Sequence, residues 1–373
     1  MKRYAAPCAA VAILMCVLEI VAWSQGLPGV KRSVNPDGSV AVTDAKVPLP
    51  GIMSEGAKQV LQRNTPSEGP GAPVPLPSDV KDMAELRRVY NQNLQPNVDH
   101  MRSIFPVDIE ETIVDGISVA VITPKGGVPA KNKNRLIINA PGGGFRTGVR
   151  GNGLLISIPV AATLGVKVVS LLYRQAPEYR FPAAEEDFLK VWNVMAKTYR
   201  PANIGLVGCS AGGSLVTHVT AMLLLKGQPG PGVLGVYCAG IAGGVQGDSA
   251  FTSTLAITNI AAEVDASRNA QLSPRPQGPG YYDGVDQKQP AIDTTRDPAL
   301  LAKWPPTIFL TGTRDFAMSN ALYSHRQLAK AGTDTRLLVY DGLYHGFMTN
   351  PDFPEAREAY QITAAFYDKH LGR

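Results

Sequence analysis

The chain has 373 residues, of which 45% are hydrophobic and 18% charged, with a net charge of +5. That length suffices for one large α/β domain with an appendage, and a charge content below the typical ~25% excludes disorder driven by charge. With no long Lys/Arg run there is no electrostatic footprint for nucleic acid. No Cys/His spacing of the zinc type occurs either, so no nucleic-acid partner, metal or cofactor is expected.

In chain order, Lys2 and Arg3 precede an apolar stretch from Ala9 to Trp23, and Ala22-Trp23-Ser24 places small residues where a signal peptidase reads. Residues 1–24 are therefore expected to be a signal peptide cut before Gln25, with export to the periplasm or the extracellular space. The stretch is interrupted by Glu19 and falls short of the ~20 residues a bilayer span requires, so no stable membrane span is expected after cleavage. Of the four cysteines, Cys209 and Cys238 lie at the ends of apolar runs and read as buried, reduced thiols, although export would permit one bridge.

Residues 25–105 read as a Pro/Gly-rich linker followed by N-terminal cap helices: a short one from Met53 to Arg63, and a stronger one from Ser78-Asp79 to about Asn93. The main domain spans 106–373. It opens on two alternating strands, Ile109 to Val114 and Ile117 to Thr123, around the hairpin signal Asp115-Gly116. Continuous apolar runs follow at Leu136 to Ile138, Val166 to Leu172, Ile204 to Val207, Val233 to Tyr237, Ile308 to Leu310 and Arg336 to Tyr340, mostly separated by helical stretches. This spacing predicts an α/β fold with a mostly parallel sheet covered on both faces. The segment of about 246–303, Pro-rich and carrying Tyr281-Tyr282, breaks the rhythm and reads as an insertion that packs with 50–105 as a lid.

The strand Ile204 to Val207 runs into Gly208-Cys209-Ser210-Ala211-Gly212-Gly213 and then an apolar helix, Leu215 to Leu225. A Gly-x-Ser-x-Gly turn between strand and helix exposes the serine at its tip, while the glycines let the two elements approach. Alone, the pattern also fits a structural turn. A serine nucleophile needs a base, and the chain has five histidines. His100, His218, His325 and His370 read as structural by position. His345 sits in a loop at the C-terminal edge of the sheet, where open α/β sheets build their sites. For the carboxylate that orients the imidazole, Asp315 at the end of the run from Thr307 fits best, with Asp341 as runner-up. Pro141-Gly142-Gly143-Gly144, leaving the strand Leu136 to Ala140, presents amides suited to an oxyanion; a flexible loop is the alternative.

Together with Tyr173-Arg174-Gln175-Ala176-Pro177-Glu178, Phe181-Pro182-Ala183-Ala184, Asp297-Pro298, Trp304-Pro305-Pro306 and Tyr344-His345-Gly346-Phe347, the chain resembles the hormone-sensitive-lipase-like (bacterial family IV) esterases of the α/β-hydrolases over about residues 50–370. The resemblance implies an α/β-hydrolase fold with a helical cap. It also implies Ser210 as nucleophile, His345 as base, Asp315 as its partner, and the amides of Gly143, Gly144 and Ala211 as the oxyanion hole. The expected function is a secreted serine hydrolase acting on small-molecule carboxylic esters of short to medium acyl chain, without cofactor or metal. A non-catalytic ligand-binding homologue and a peptidase are the alternatives. Three positions depart from the family pattern: Pro141 replaces the histidine of His-Gly-Gly-Gly, Cys209 stands where an acidic residue is frequent, and Met318-Ser319-Asn320 replaces an acidic pair.

Overall fold

The structure, a computed structural model, describes residues 31–36, 40–43, 49–63, 82–244, 247–253 and 280–372. The expected signal peptide lies outside the described residues. Two units are distinguished, 1–49 and 50–373. In the first, β1 (Lys31–Val34) and β2 (Val40–Thr43) pair antiparallel, with Lys31 opposite Thr43 and Val34 opposite Val40. Pro/Gly crowding predicts only loop there; the β-branched Val34, Val40, Val42 and Thr43 favour the strands.

In the second unit, alternation along the strands decides the architecture. Within β5 (Leu136–Ala140), Ile137 joins one hydrophobic cluster, while Leu136 and Ile138 join the other. The strand is buried at every position, Asn139 included, and so packs on both faces. The remaining strands are β3 (Val107–Val114), β4 (Ile117–Pro124), β6 (Lys167–Leu171), β7 (Ile204–Cys209), β8 (Val233–Tyr237), β9 (Thr307–Arg314) and β10 (Thr335–Tyr344). Their spatial order is β10-β9-β8-β7-β5-β6-β4-β3. The β3/β4 and β4/β6 pairs are antiparallel and all others parallel, as the predicted mostly parallel sheet requires.

Helices α3 (Gly151–Leu164) and α9 (Pro354–His370) supply one cluster, and α4 (Ala183–Thr198), α5 (Ala211–Leu225) and α8 (Met318–Lys330) the other. The parallel strands all end at the same edge, so the loops after β5, β7, β8, β9 and β10 share one rim. Two short helices, α6 (Ser249–Thr252) and α7 (Pro298–Leu301), lie in the described parts of the insertion.

The expected cap helices divide in role. The first, α1 (Glu55–Arg63), docks against the start of α9: the Ser54 amide donates to Glu355 Oε1 at 3.0 Å, and Ala57 and Val60 are buried. The second, α2 (Met83–Ile104), packs on α3 and does not stop near Asn93 but continues through Pro96 for nearly three more turns. Val98 and Met101, three residues apart, bury their side chains in the core, and that burial offsets the missing proline donor. β10 also outruns its expected end at Tyr340, reaching Tyr344 across a register shift. At this irregularity the Gly342 amide donates to Thr313 Oγ1 and Thr313 Oγ1 to Asp341 Oδ1.

Candidate active site

Strand β7 ends at Cys209, and α5 begins two residues later at Ala211, leaving Ser210 alone in the turn. Its φ of 58° and ψ of −125° are costly for a residue with a side chain, of the order of 1–3 kcal/mol. Glycines on either side make so sharp a turn feasible. A Cβ on Gly208 would lie 2.2 Å from Gly212 O, and one on Gly212 only 1.8 Å from Ala140 O. The Ser210 amide is tied to Tyr237 O of β8 at 2.8 Å, so the turn is anchored to the neighbouring strand.

Asp315 follows β9 and is fully buried. Its Oδ1 accepts from the Ala317 amide at 2.8 Å and from His345 Nδ1 at 2.7 Å, while Oδ2 accepts from Thr311 Oγ1 at 2.7 Å. Burial opposes ionisation of this carboxyl. The imidazole and these hydrogen bonds outweigh burial and hold it below its usual range. Burial likewise disfavours imidazolium at His345, yet the Asp315 charge and hydrogen bond raise its pKa above 6.5. A second contact fixes the loop: the Gly346 amide donates to Cys238 Sγ at 3.1 Å, carrying the segment from the end of β10 across β9 to the end of β8, beside β7. Asp341, the runner-up, is engaged instead with Thr313 at the irregularity in β10.

The glycine loop is held from several sides. Tyr173 Oη donates to Pro141 O at 2.7 Å, Asn152 Nδ2 to Gly142 O at 3.3 Å, the Ala176 amide to Phe145 O at 2.8 Å, and Gln175 Nε2 to Thr147 O at 3.0 Å. From α2, Arg87 Nε donates to Arg146 O and Nη2 to Ala176 O, both at 2.8 Å, while the guanidinium also pairs with Glu178. Three of these partners lie in Tyr173 to Glu178, a stretch whose residue types alone indicate only a loop. Pro141, in place of histidine, packs against Gly153 of α3, where a Cβ would lie 2.9 Å from the ring. Gly143 and Gly144 adopt φ of 123° and 62°. Among the described residues their amides are taken by no other acceptor. The Ala211 amide is one of those a helix start leaves without an intrahelical partner.

Elsewhere, the other departures find local roles. Ser319 Oγ accepts from the Ser249 amide, and Asn320 Nδ2 donates to Ala242 O and Gly244 O, so these positions bind the start of the insertion to α8. Further along the insertion, Tyr281 stacks on Phe145 of the glycine loop at 4.2 Å, and its hydroxyl donates to buried Glu185. His218 is buried against that carboxylate at 2.9 Å, a packing role rather than a place beside Ser210. His325 and His370 lie on α8 and α9, and His100 pairs with Asp352.

Cys209 and Cys238 are both free and buried. Cys238, Asp315 and His345 bring ligand-type atoms within 4.8 Å of one another. The Asp315 oxygens and His345 Nδ1 are already committed to each other, to Ala317 and to Thr311, an arrangement that orients an imidazole rather than encloses an ion.

The profile of the alpha/beta hydrolase fold family matches residues 137–349. An acetyl-hydrolase of Streptomyces hygroscopicus is 25% identical over 256 residues, covering 68% of this chain and 81% of the relative. A versiconal hemiacetal acetate esterase of Dothistroma septosporum is 26% identical over 268 residues, covering 67% and 77%. The crystal structure of esterase E25 superposes with a TM-score of 0.74 at 27% identity, over 90% of this chain and 99% of that one. An esterase of the bacterial hormone-sensitive lipase family shares the fold, with a TM-score of 0.64 at 24% identity over 86% and 99% of the two chains. With more than half its length matched, the chain belongs to the α/β-hydrolase fold family.

Proposed function

We propose that this carboxylesterase-like hydrolase works as a serine esterase, cleaving carboxylic esters of short to medium acyl chain through an acyl-enzyme on Ser210. The observation that carries the reading is the 2.7 Å His345–Asp315 hydrogen bond, brought by Gly346 and Cys238 to the strand next to the strained Ser210 turn. Ser210 Oγ attacks the ester carbonyl as His345 takes its proton, and Asp315 stabilises the imidazolium. The amides of Gly143, Gly144 and Ala211 hold the oxyanion. His345 then returns the proton to the leaving alcohol, and water, activated by the same imidazole, releases the acid.

Relatives named for acetyl esters, including an ethyl acetate hydrolase of Pseudomonas putida, favour the short end of the acyl range. Export belongs to the same proposal and rests on Lys2, Arg3 and the apolar stretch to Trp23.

A p-nitrophenyl ester series from acetate to decanoate tests the reading. The highest kcat/KM is expected at acetate to butyrate, with losses of about 10⁴-fold or more in Ser210→Ala and His345→Ala. Parent-like rates in either variant, or no hydrolysis by the folded protein, would overturn the serine mechanism. Export is checked by fractionating cells that express the full chain and sequencing the mature N-terminus. Gln25 as first residue is expected, and cytoplasmic retention with Met1 sinks it.

A further inference from the structure

We propose that Cys209 and Cys238 form a covalent modification site, at which a small peroxide oxidises the two thiols to a disulfide and switches hydrolysis off until a thiol reductant restores it. The switching rests on the reading that Ser210 and His345 carry the reaction; the disulfide itself does not.

The pair is built by backbone geometry. Cys209 ends β7 opposite Tyr237 of β8, and Cys238 is the next residue. Strict alternation would send Tyr237 and Cys238 to opposite faces of the sheet. Instead Cys238 adopts a φ of +50°, and Cys209, Tyr237 and Cys238 all lie in one hydrophobic cluster. Both thiols are buried and unbridged, and Cys238 is the main influence that lowers the pKa of Cys209. Neighbouring strand ends also bring their Cα atoms into the range a disulfide spans.

Both sulfurs are mechanically joined to the reacting groups. Cys209 immediately precedes Ser210, whose amide is bound to Tyr237 O. Cys238 Sγ accepts the Gly346 amide next to His345 and lies within 4.8 Å of the ligand-type atoms of Asp315 and His345. A covalent S–S bond is shorter than any non-bonded S···S contact, so closing it draws the nucleophile turn and the histidine loop toward each other. Displacement of a reacting group by about 1 Å costs on the order of 100-fold in rate.

The chemistry balances with one peroxide. Cys209 is the better nucleophile, because the neighbouring Cys238 thiol lowers its pKa and favours the thiolate despite burial. The thiolate attacks a peroxide oxygen, the O–O bond breaks, and sulfenic acid and water form. Cys238 sulfur then attacks the sulfenic sulfur, the S–O bond breaks, and a second water leaves with the Cys238 proton. Two thiols lose two electrons in all, and hydrogen peroxide is reduced to two waters. Cys209 retains 7% exposure and adjoins half-buried Ser210, and the proposed oxidation requires that an oxidant the size of peroxide reach it from that side.

The test treats the full chain with graded hydrogen peroxide, following p-nitrophenyl acetate hydrolysis and mapping disulfide-linked peptides. The expected result is a Cys209–Cys238 linked peptide that accumulates in step with a loss of about 100-fold in rate, both reversed by dithiothreitol. The linked peptide should be absent from Cys238→Ser, and the Cys209→Ser/Cys238→Ser double variant should keep its own starting rate at doses that silence the parent. No linked peptide when activity falls, a linked peptide with unchanged activity, or equal sensitivity of the double variant each overturns the proposal. The peptide map and reductant recovery on the parent protein decide the matter even if a serine variant folds poorly. Because the map reads the bond itself, its failure is separable from failure of the serine mechanism, which Ser210→Ala reports.

Discussion

Phe316 lies flat against His345, with ring centroids 4.1 Å apart and 20° between the planes. Its chain neighbour Asp315 holds Nδ1 of the same imidazole at 2.7 Å, so two consecutive residues fix the ring, one from its face and one from its edge. Phe316 O also accepts Ser249 Oγ at 2.9 Å, tying this support to the start of the insertion. Removing the ring in Phe316→Ala forfeits an aromatic contact of about 0.5–1.5 kcal/mol and frees the imidazole to rotate. The expected outcome in steady-state ester hydrolysis is a kcat roughly tenfold lower with KM nearly unchanged; a kcat within twofold of the parent would show that the stack does not orient the base.

Replacing Asp315 by Asn keeps the shape but not the acceptor pair. The imidazole then loses the tautomer that leaves Nε2 free, and kcat should fall by about 10⁴-fold, the scale for neutralising a triad carboxylate. Asp341→Asn weakens the Thr313 contact in β10 and the attraction to Arg314 but leaves His345 its Asp315 partner, and should change kcat by less than about fivefold. Measuring both variants in parallel discriminates the two carboxylates; the reverse ranking would reassign the partner of His345.

The raised His345 pKa makes a prediction about pH. In the proposed mechanism hydrolysis needs neutral imidazole, so activity should rise with pH through an acid limb whose midpoint lies above the ordinary histidine value. The stabilisation from the charged His345–Asp315 pair runs the other way: it is complete below the ordinary histidine value and is lost as pH rises through the raised one. Profiles of kcat/KM and of Tm in the same buffers should therefore show these contributions moving in opposite directions. An acid limb centred below the ordinary histidine value contradicts the pairing.

The glycine loop offers a test of positioning. Tyr173→Phe deletes the hydroxyl that donates to Pro141 O and leaves a buried carbonyl without that donor, at a cost of about 1–3 kcal/mol. In the proposed mechanism the loop amides matter most when charge develops on the substrate oxygen, so the loss should fall on kcat, by roughly five- to tenfold, more than on KM. A change confined to KM would place Tyr173 in substrate binding instead.

Gly212→Ala should be poorly tolerated. The added carbon would sit 1.8 Å from Ala140 O, a backbone atom of β5 with no room to retreat. Destabilisation of about 3 kcal/mol or more is expected, read as a lower midpoint in urea unfolding. An unchanged midpoint would mean that β5 and α5 can separate without penalty.

Much of the framework was legible in the chain itself. Apolar runs of strand length marked six of the strands, Asp115-Gly116 marked the β3–β4 hairpin, and a serine between glycines at a strand-to-helix junction marked the turn. Each is a local signal, because strand burial and turn geometry depend on nearby residues. Element ends were less legible. The extension of α2 past Pro96 depends on the burial of Val98 and Met101, and that of β10 past Tyr340 on Thr313 from another strand.

The sequence by itself determined the chemical inventory: one serine in a strained turn, a histidine after the last strand, and carboxylates at strand ends. Only the tertiary structure decided which groups meet. It joined Asp315 rather than Asp341 to His345, set Tyr173, Gln175 and Arg87 around the glycine loop, and placed Cys238 in the same buried cluster as Cys209. Those outcomes depend on the order in which strands assemble and on single backbone angles such as the +50° φ of Cys238. No local pattern encodes them, because each contact joins residues whose separation in the chain exceeds any helical or strand period.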